Sequence, residues 1–532
     1  MAQRRRNIRP FAFIFNTKGI NQKDGVFFIQ PDSADIENLH VTKSGQWGNV
    51  NKGNEHFSAL IETGSRIDSV GWYQNDAGNT YLLAASNGLI KHINTSTGAI
   101  VATVTSNNTA GNLVDFKTYK GQVYITEESM VPVKWDGTTT TSLSVFPKTV
   151  APDVYNKPKM LEVYQGSMVY AGFDGFPSHI AISDADDPDS ITTVTSNDGD
   201  GLITGVNDGD GYAITALQRF YNAASNDEAL VIWKERGVYL LTGSSPNPSG
   251  DFYNIIQISS EYGCLNKNCA VRVGNDIIFL DRNNIYSLTT ALQNGTIQPR
   301  IIGGDRVQET LATLNVSQAS KAWVVHQPAE REVWFGIPTG SSTEVNRILV
   351  YRYSSDGTAE PAWSVRTGMN TTCAVVANET LYTGTNGGYL EEWGSSSQYN
   401  GTGMAWRIRY PFYGFGDVVT NKRILEAKAW IKCKEDTTIT VKNRWRHSDT
   451  FNIKTTQTQT ATIADQEQYG TAIFGTVSYA DQSGALKVVP FEVRGYGSQI
   501  QIDVSGLTNE TGVEFLGITG LYETGSPNRS YR

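Results

Sequence analysis

An all-β fold is what this 532-residue sequence predicts, and three observations predict it. Glycine is abundant, at 51 residues, and aromatic residues make up 11%; glycine serves turns and aromatics suit a pleated surface. Helical periodicity is scarce, the best candidate being a short piece around Arg306–Leu314. Elsewhere the chain reads as brief alternating or aromatic runs cut by Asn-Gly, Asp-Gly and Gly-Gly turns.

The runs recur in groups of three or four, about 50 residues apart, which is the period of propeller blades. The first group is Gly71–Tyr73, Tyr81–Ala85, Leu89–Ile93 and Ile100–Val104. The second spans Leu113–Trp135, the third Met160–Ser183 and the fourth Ile214–Ile258. Cys269–Leu288, Ala322–Val365 and Cys373–Trp393 complete the series. The prediction is therefore a β-propeller of about seven blades. Two sandwiches in tandem would also give short strands, but not this even rhythm. Closure supplies the physical logic, because blades packed in a ring leave no long edge open.

A Gly/Ser-rich joint, Gly394–Gly403, ends the series. Beyond it, Trp406–Tyr410, Leu425–Cys433, Thr437–Trp445, Lys487–Arg494, Ile500–Val504 and Phe515–Tyr522 read as strands of one C-terminal β-sandwich. Thr455–Thr462 suits an extended hairpin arm or loop. Phe491–Ile502 alternates like a strand, with a bulge at Gly495 and Gly497. Ahead of the blades lies an N-terminal arm. Its expected parts are strands at Ala12–Phe15 and Gly25–Ile29, a turn of helix at Asp32–Leu39 and a tight turn at Ser44–Gly48. Such an arm either closes the ring against the last blade or reaches a neighbouring subunit. The expected domains are 1–55 (arm), 56–395 (propeller) and 396–532 (sandwich).

Charge narrows the function. With 44 Lys+Arg against 53 Asp+Glu the formal charge is −9, unlike proteins that grip phosphates. No apolar stretch approaches the ~20 residues of a membrane helix. Phe11–Phe15 is too short for a signal sequence core, so a soluble protein is expected. Cys264, Cys269, Cys373 and Cys433 read as small buried hydrophobes in a reducing compartment, although Cys264 and Cys269 could suit a metal or a bridge.

Catalytic motifs are scarce. His40, His56, His92, His179, His326 and His447 show no metal-ligand spacing, and neither a Gly-x-Ser-x-Gly elbow nor a phosphate-binding glycine loop occurs. Two acidic stretches are the candidates. In Asn197–Gly211, the closely spaced Asp198, Asp200, Asp208 and Asp210 could hold Ca²⁺, or simply make paired Asp-Gly turns without a metal. In Ser183–Asp189, clustered carboxylates around Asp186 could do glycosidase acid/base work, which needs two of them ~5–10 Å apart; an acidic turn is the plainer reading. The many Trp and Tyr residues could stack sugars, or pack blades.

Several stretches resemble one family. They are Lys18-Gly19-Ile20-Asn21, Asp35-Ile36-Glu37-Asn38, Val169-Tyr170-Ala171-Gly172 through Pro177, and Ile182-Ser183 with Asp187-Pro188. Ile214-Thr215-Ala216-Leu217, Val231-Ile232-Trp233, Gly237-Val238-Tyr239, Ile278-Phe279-Leu280, Arg347–Tyr353 with Trp363-Ser364, and Gly495-Tyr496-Gly497-Ser498 continue the pattern. Together they resemble the tail nozzle proteins of short-tailed bacteriophages, also called tail tubular protein B or packaged-DNA stabilisation protein. The resemblance implies a propeller with added β domains and six copies in a ring below the portal and adaptor. It implies a non-enzymatic, cofactor-free virion protein, assembled in the host bacterial cytoplasm, that conducts and retains the genome and docks fibres, spikes or a needle. An acidic lumen would repel phosphates and let a duplex slide. Arg4, Arg5 and Arg6 would then contact an acidic neighbour or the DNA end, or else form a solvated terminus. A carbohydrate-binding propeller, such as a receptor-binding adhesin, or a propeller glycosidase is the alternative.

Overall fold

The computed structural model describes residues 7–14, 20, 22, 35–41, 47–48, 53–143, 146, 155–191, 201–222, 227–244, 252–291, 296–353, 361–396, 398–433, 437–446, 454–463, 485–508 and 513–525. Seven antiparallel four-stranded units follow one another along the chain. Blade 1 comprises Ile67–Gln74, Thr80–Ser86, Leu89–Ile93 and Ile100–Thr105. Blades 2 to 6 begin with Asp115–Tyr119, Pro158–Tyr164, Ile214–Asn222, Ala270–Val273 and Trp323–Gln327. Blade 7 supplies Thr371–Ala377, Thr380–Thr385 and Leu390–Ser396. Its outer strand, Gly53–His56, comes from ahead of blade 1, in a register that sets Asn54 opposite Trp393. The first strands of the blades adjoin one another in order, and that of blade 7 adjoins that of blade 1. The ring is closed, and its first strands surround the axis.

Local sequence explains the blades. Tight turns join their strands: Asn87-Gly88 has φ of 50° and 78°, and Gln165-Gly166 has 46° and 82°, the paired left-handed geometry whose twist matches a hairpin. Both faces of a blade are covered by its neighbours, so Ser167–Phe173 is buried at every position rather than at alternate ones. The cores are the gaps between blades. Leu82 and Ala84 of blade 1 pack with Cys373 and Tyr382 of blade 7. Leu83 and Ile90 face Val123 and Ile125 of blade 2. At the seam of blades 6 and 7, the Arg366 guanidinium lies 4.7 Å and 4.6 Å from the Trp334 and Trp393 rings. It is 2% exposed and faces Glu332.

The C-terminal strands lie in two sheets, both of which also take strands of the arm. Lys422–Cys433 pairs on one side with Ala485–Phe491 and on the other with Glu514–Thr524, and Ile8–Ile14 of the arm adds to Glu514–Thr524. The second sheet is continuous with blade 6. Asp35–Glu37 runs parallel to Ala362–Arg366 and antiparallel to Met404–Arg409, and Gln499–Thr508, Thr437–Arg446 and Lys454–Ile463 follow. Residues of both sheets share one buried cluster, with Phe13 against Tyr410 at 5.1 Å and Trp406 against Phe515 at 6.4 Å.

Two local expectations change. Asp35–Glu37 is strand rather than a turn of helix, because extended backbone buries Ile36 while Asp35 and Glu37 reach Arg407. Phe491–Ile502 is not one strand. The chain leaves one sheet after Phe491 and enters the other at Gln499, through Gly495 at φ 99° and Gly497, where a Cβ would sit 2.7 Å from the Arg446 carbonyl. Thr455–Thr462, expected as an extended hairpin arm or loop, lies within the edge strand Lys454–Ile463, which pairs antiparallel with Thr437–Arg446. The helix expected around Arg306 is Gly304–Ala312. Gly25–Ile29 lies outside the described residues.

Candidate functional site

The first strands leave a polar cavity of about 180 Å³ on the axis, lined from all seven blades, for example by Ser69, Lys117, Met160, Gln218, Asn268, Trp323 and Ala374. A second cavity of about 360 Å³ lies at one mouth, where Arg66, Lys159 and Lys321 converge with Glu128. Lys267 belongs to both. It starts from blade 5, and its Nζ donates across the axis to the Leu113 carbonyl at 2.8 Å and the Lys159 carbonyl at 2.7 Å, beside blades 2 and 3. Burial lowers its pKa to about 8. A side chain therefore spans the axis, and the passage is far narrower than a nucleic-acid duplex. In the same axial cavity, Lys117 pairs with Glu162 at 2.7 Å. Asn266 shapes this corner: its side chain accepts from Asn268 N–H and donates to the Ala319 and Ala322 carbonyls.

The acidic stretches resolve into clasps. Asp189 pairs with Lys134 of blade 2 at 2.7 Å, and Asp186 with Lys120 at 2.8 Å. Both lie in the loop of blade 3, so the cluster ties two blades together. Asp186 is 74% exposed and sits at φ 64°. Lys120 and the Tyr119 hydroxyl hold its carboxyl below the usual range. Of the calcium candidates, Asp208 accepts from the Ser178 hydroxyl at 2.6 Å and lies 3.3 Å from His179 Nε2. Asp210 receives the ammonium of Lys234 at 2.7 Å, from a side chain that is 0% exposed. The two carboxylates serve different partners, and Lys234 supplies the cation at Asp210. Asp198 and Asp200 lie outside the described residues, as do Arg4, Arg5 and Arg6. No group of three His, Cys, Asp or Glu suited to a metal occurs among the described residues.

The remaining candidates are structural. Cys264, Cys269 and Cys373 are buried and free; burial pushes the Cys373 thiol up to about 12. The Cys433 side chain lies outside the described residues. His92 packs against Tyr81 and Trp135, and His326 Nε2 meets the Tyr353 hydroxyl at 2.8 Å. No described helix is long and apolar enough to cross a membrane.

Two features have no counterpart in the sequence reading: Lys267 across the axis, and a cavity of about 230 Å³ at the seam where Gly53–His56 closes blade 7. His56 stacks on Tyr389 there, with ring centroids 3.9 Å apart, and Nδ1 lies 3.6 Å from the Glu391 carboxylate. These partners are hundreds of residues apart, and no spacing signal could have joined them.

No family model matches the chain, and no curated protein does. Solved propellers resemble it at low identity. YCF48 from Cyanidioschyzon merolae is 12% identical, with a TM-score of 0.38 over 63% of this chain and 98% of that one. The WD40 propeller domain of Doa1 is 7% identical, with a TM-score of 0.38 over 65% and 98%. The Cps50 (Swd1) propeller domain of Myceliophteria thermophila is 11% identical, with a TM-score of 0.40 over 64% and 100%.

Proposed function

We propose that this chain is a structural virion protein, a tail nozzle subunit of a short-tailed bacteriophage. Six copies form a ring below the portal and adaptor. The ring conducts and retains the genome and docks fibres or a needle, and it is assembled in the host bacterial cytoplasm. The observation that carries this reading is the weave of arm, blade 6 and C-terminal strands into one sheet. A continuous sheet passes force from one region to the other through paired backbone, which suits a passive building block. The acidic balance of −9 supports a lumen that does not hold phosphates. Because Lys267 spans the propeller axis, the genome's path in this reading runs between copies and not through one of them. Of the carboxylates that suggested hydrolysis, Asp186 is paired with Lys120 and Asp189 with Lys134.

Negative-stain electron microscopy with native mass measurement tests the reading, on the protein alone and with its portal–adaptor complex. Six-fold rings with an axial hole are expected. Monomers or trimers under both conditions would overturn it and turn attention to glycan binding.

A further inference from the structure

Buried carboxylates in this protein are generally compensated. Glu332 faces Arg366, Glu162 faces Lys117, Asp503 faces Arg409 and Asp68 faces Arg66. Glu127 has no such cation but accepts from Asn112 Nδ2 and from the backbone N–H groups of Thr109 and Ser129. Glu391 differs. It is 5% exposed, and its carboxylate accepts from one side chain, Asn54. Asn400 Nδ2 lies 2.6 Å from His56 Nε2; an amide N–H donated there leaves the imidazole neutral. Among the described residues no Lys or Arg pairs with Glu391. Burial accordingly pushes its carboxyl up to about 7. The seam cavity opens beside this carboxylate, walled by Tyr389, Tyr399, Asn370, Asn400 and Thr385.

We propose that the seam cavity binds an alkylammonium group, with the Glu391 carboxylate as its counter-ion. An ammonium brings three donors to a wall of carboxylate, carboxamide and hydroxyl oxygens. Tyrosine rings add attraction for a cation. A divalent metal would call for several carboxylates, and this cavity has one. A guanidinium prefers both oxygens of a carboxylate, and Asn54 already takes one. The other titratable groups facing the site are His56 from the closing strand, and Tyr389 and Tyr399. Arg366 lies behind Tyr399, held between Trp334 and Trp393. The ammonium and the proton compete for Glu391, so the site empties as the carboxyl protonates.

The test is calorimetric titration of the full-length protein with n-propylammonium chloride and with Nα-acetyl-lysine methylamide, against matched sodium chloride. Wild type is expected to bind with a Kd of about 1–10 mM at pH 8, and about tenfold more weakly at pH 6, where most of the Glu391 carboxyl is protonated. Glu391→Gln, which keeps an oxygen for Asn54 and removes the charge, is expected to lose binding. Binding of both ligands supports a partner's lysine side chain as the occupant, and binding of propylammonium alone supports a small amine. Equal binding by Glu391→Gln, a preference for calcium chloride, or no saturation at any concentration would overturn the proposal. Wild-type affinity that stays the same between pH 6 and pH 8 would do so without any variant.

Discussion

The propeller and the C-terminal sheets use the same element, the antiparallel strand, and assemble it in opposite ways. Every strand of blade 3 lies between Pro158 and Gly205, and its first two strands are joined by the two-residue turn Gln165-Gly166. In the C-terminal sheets the partners are the two ends of the chain. Ile8 pairs with Glu523, and Asp35 with Arg409. Blades can therefore form from local contacts as the chain emerges, whereas the C-terminal sheets wait for both ends and carry the loop-closure cost of long-range pairing. Only one blade breaks the local rule: blade 7 borrows Gly53–His56 to close the ring.

The largest effect follows from cutting that long-range link. Removal of residues 1–41 takes away Ile8–Ile14 and Asp35–Glu37 but leaves the closing strand. The C-terminal sheets are expected to lose protection in limited proteolysis, while the blades stay resistant. A truncated protein as resistant throughout as the full chain would break the comparison.

A smaller effect is expected inside the propeller. Arg366→Met leaves Glu332 buried without its cation and removes the guanidinium from between Trp334 and Trp393. A loss of about 3 kcal/mol in urea unfolding is expected. A loss below about 1 kcal/mol would mean that the apolar seam alone holds blades 6 and 7.

The closing strand should make stability depend on pH. The Glu391 carboxyl ionises near 4.5 when unfolded and near 7 when folded. The folded protein keeps a proton that the unfolded chain gives up, so this group's contribution falls as pH rises from 4.5 and is fully lost above about 7. His56, lowered by burial, acts in the opposite sense on the acid side. Urea titrations between pH 5 and pH 8 should show Glu391→Gln gaining about 1–3 kcal/mol on wild type as pH rises. Parallel curves would remove Glu391 from the account. The smallest effect belongs to Asp186→Asn. Its exposed pair with Lys120 should leave the melting midpoint unchanged, and glycan hydrolysis assays should show no turnover lost with it.

Much of the propeller was legible because blade formation is local. Tyr81–Ala85 and Leu89–Ile93 are runs flanking Asn87-Gly88, and such a turn needs nothing from elsewhere in the chain. The arm was misread at Asp35–Glu37 because Ile36 becomes a core residue only when Ala362–Arg366 and Met404–Arg409 arrive on either side. Phe491–Ile502 was misread for the converse reason: its alternation is real, but its two halves serve different sheets. The acidic loops were legible as chemistry and not as clasps, since Lys120, Lys134 and Lys234 come from other parts of the chain.

By itself the sequence determined an all-β chain, the seven groups of strands and the acidic balance, because turn chemistry, side-chain alternation and charge are properties of neighbouring residues. The tertiary structure alone decided that Gly53–His56 closes the ring, that Lys267 crosses its axis, and that Glu391 is buried beside His56 with no Lys or Arg paired to it among the described residues. Each of these joins residues a hundred or more positions apart. Burial and the distance between charged groups exist only once the chain has brought such residues together.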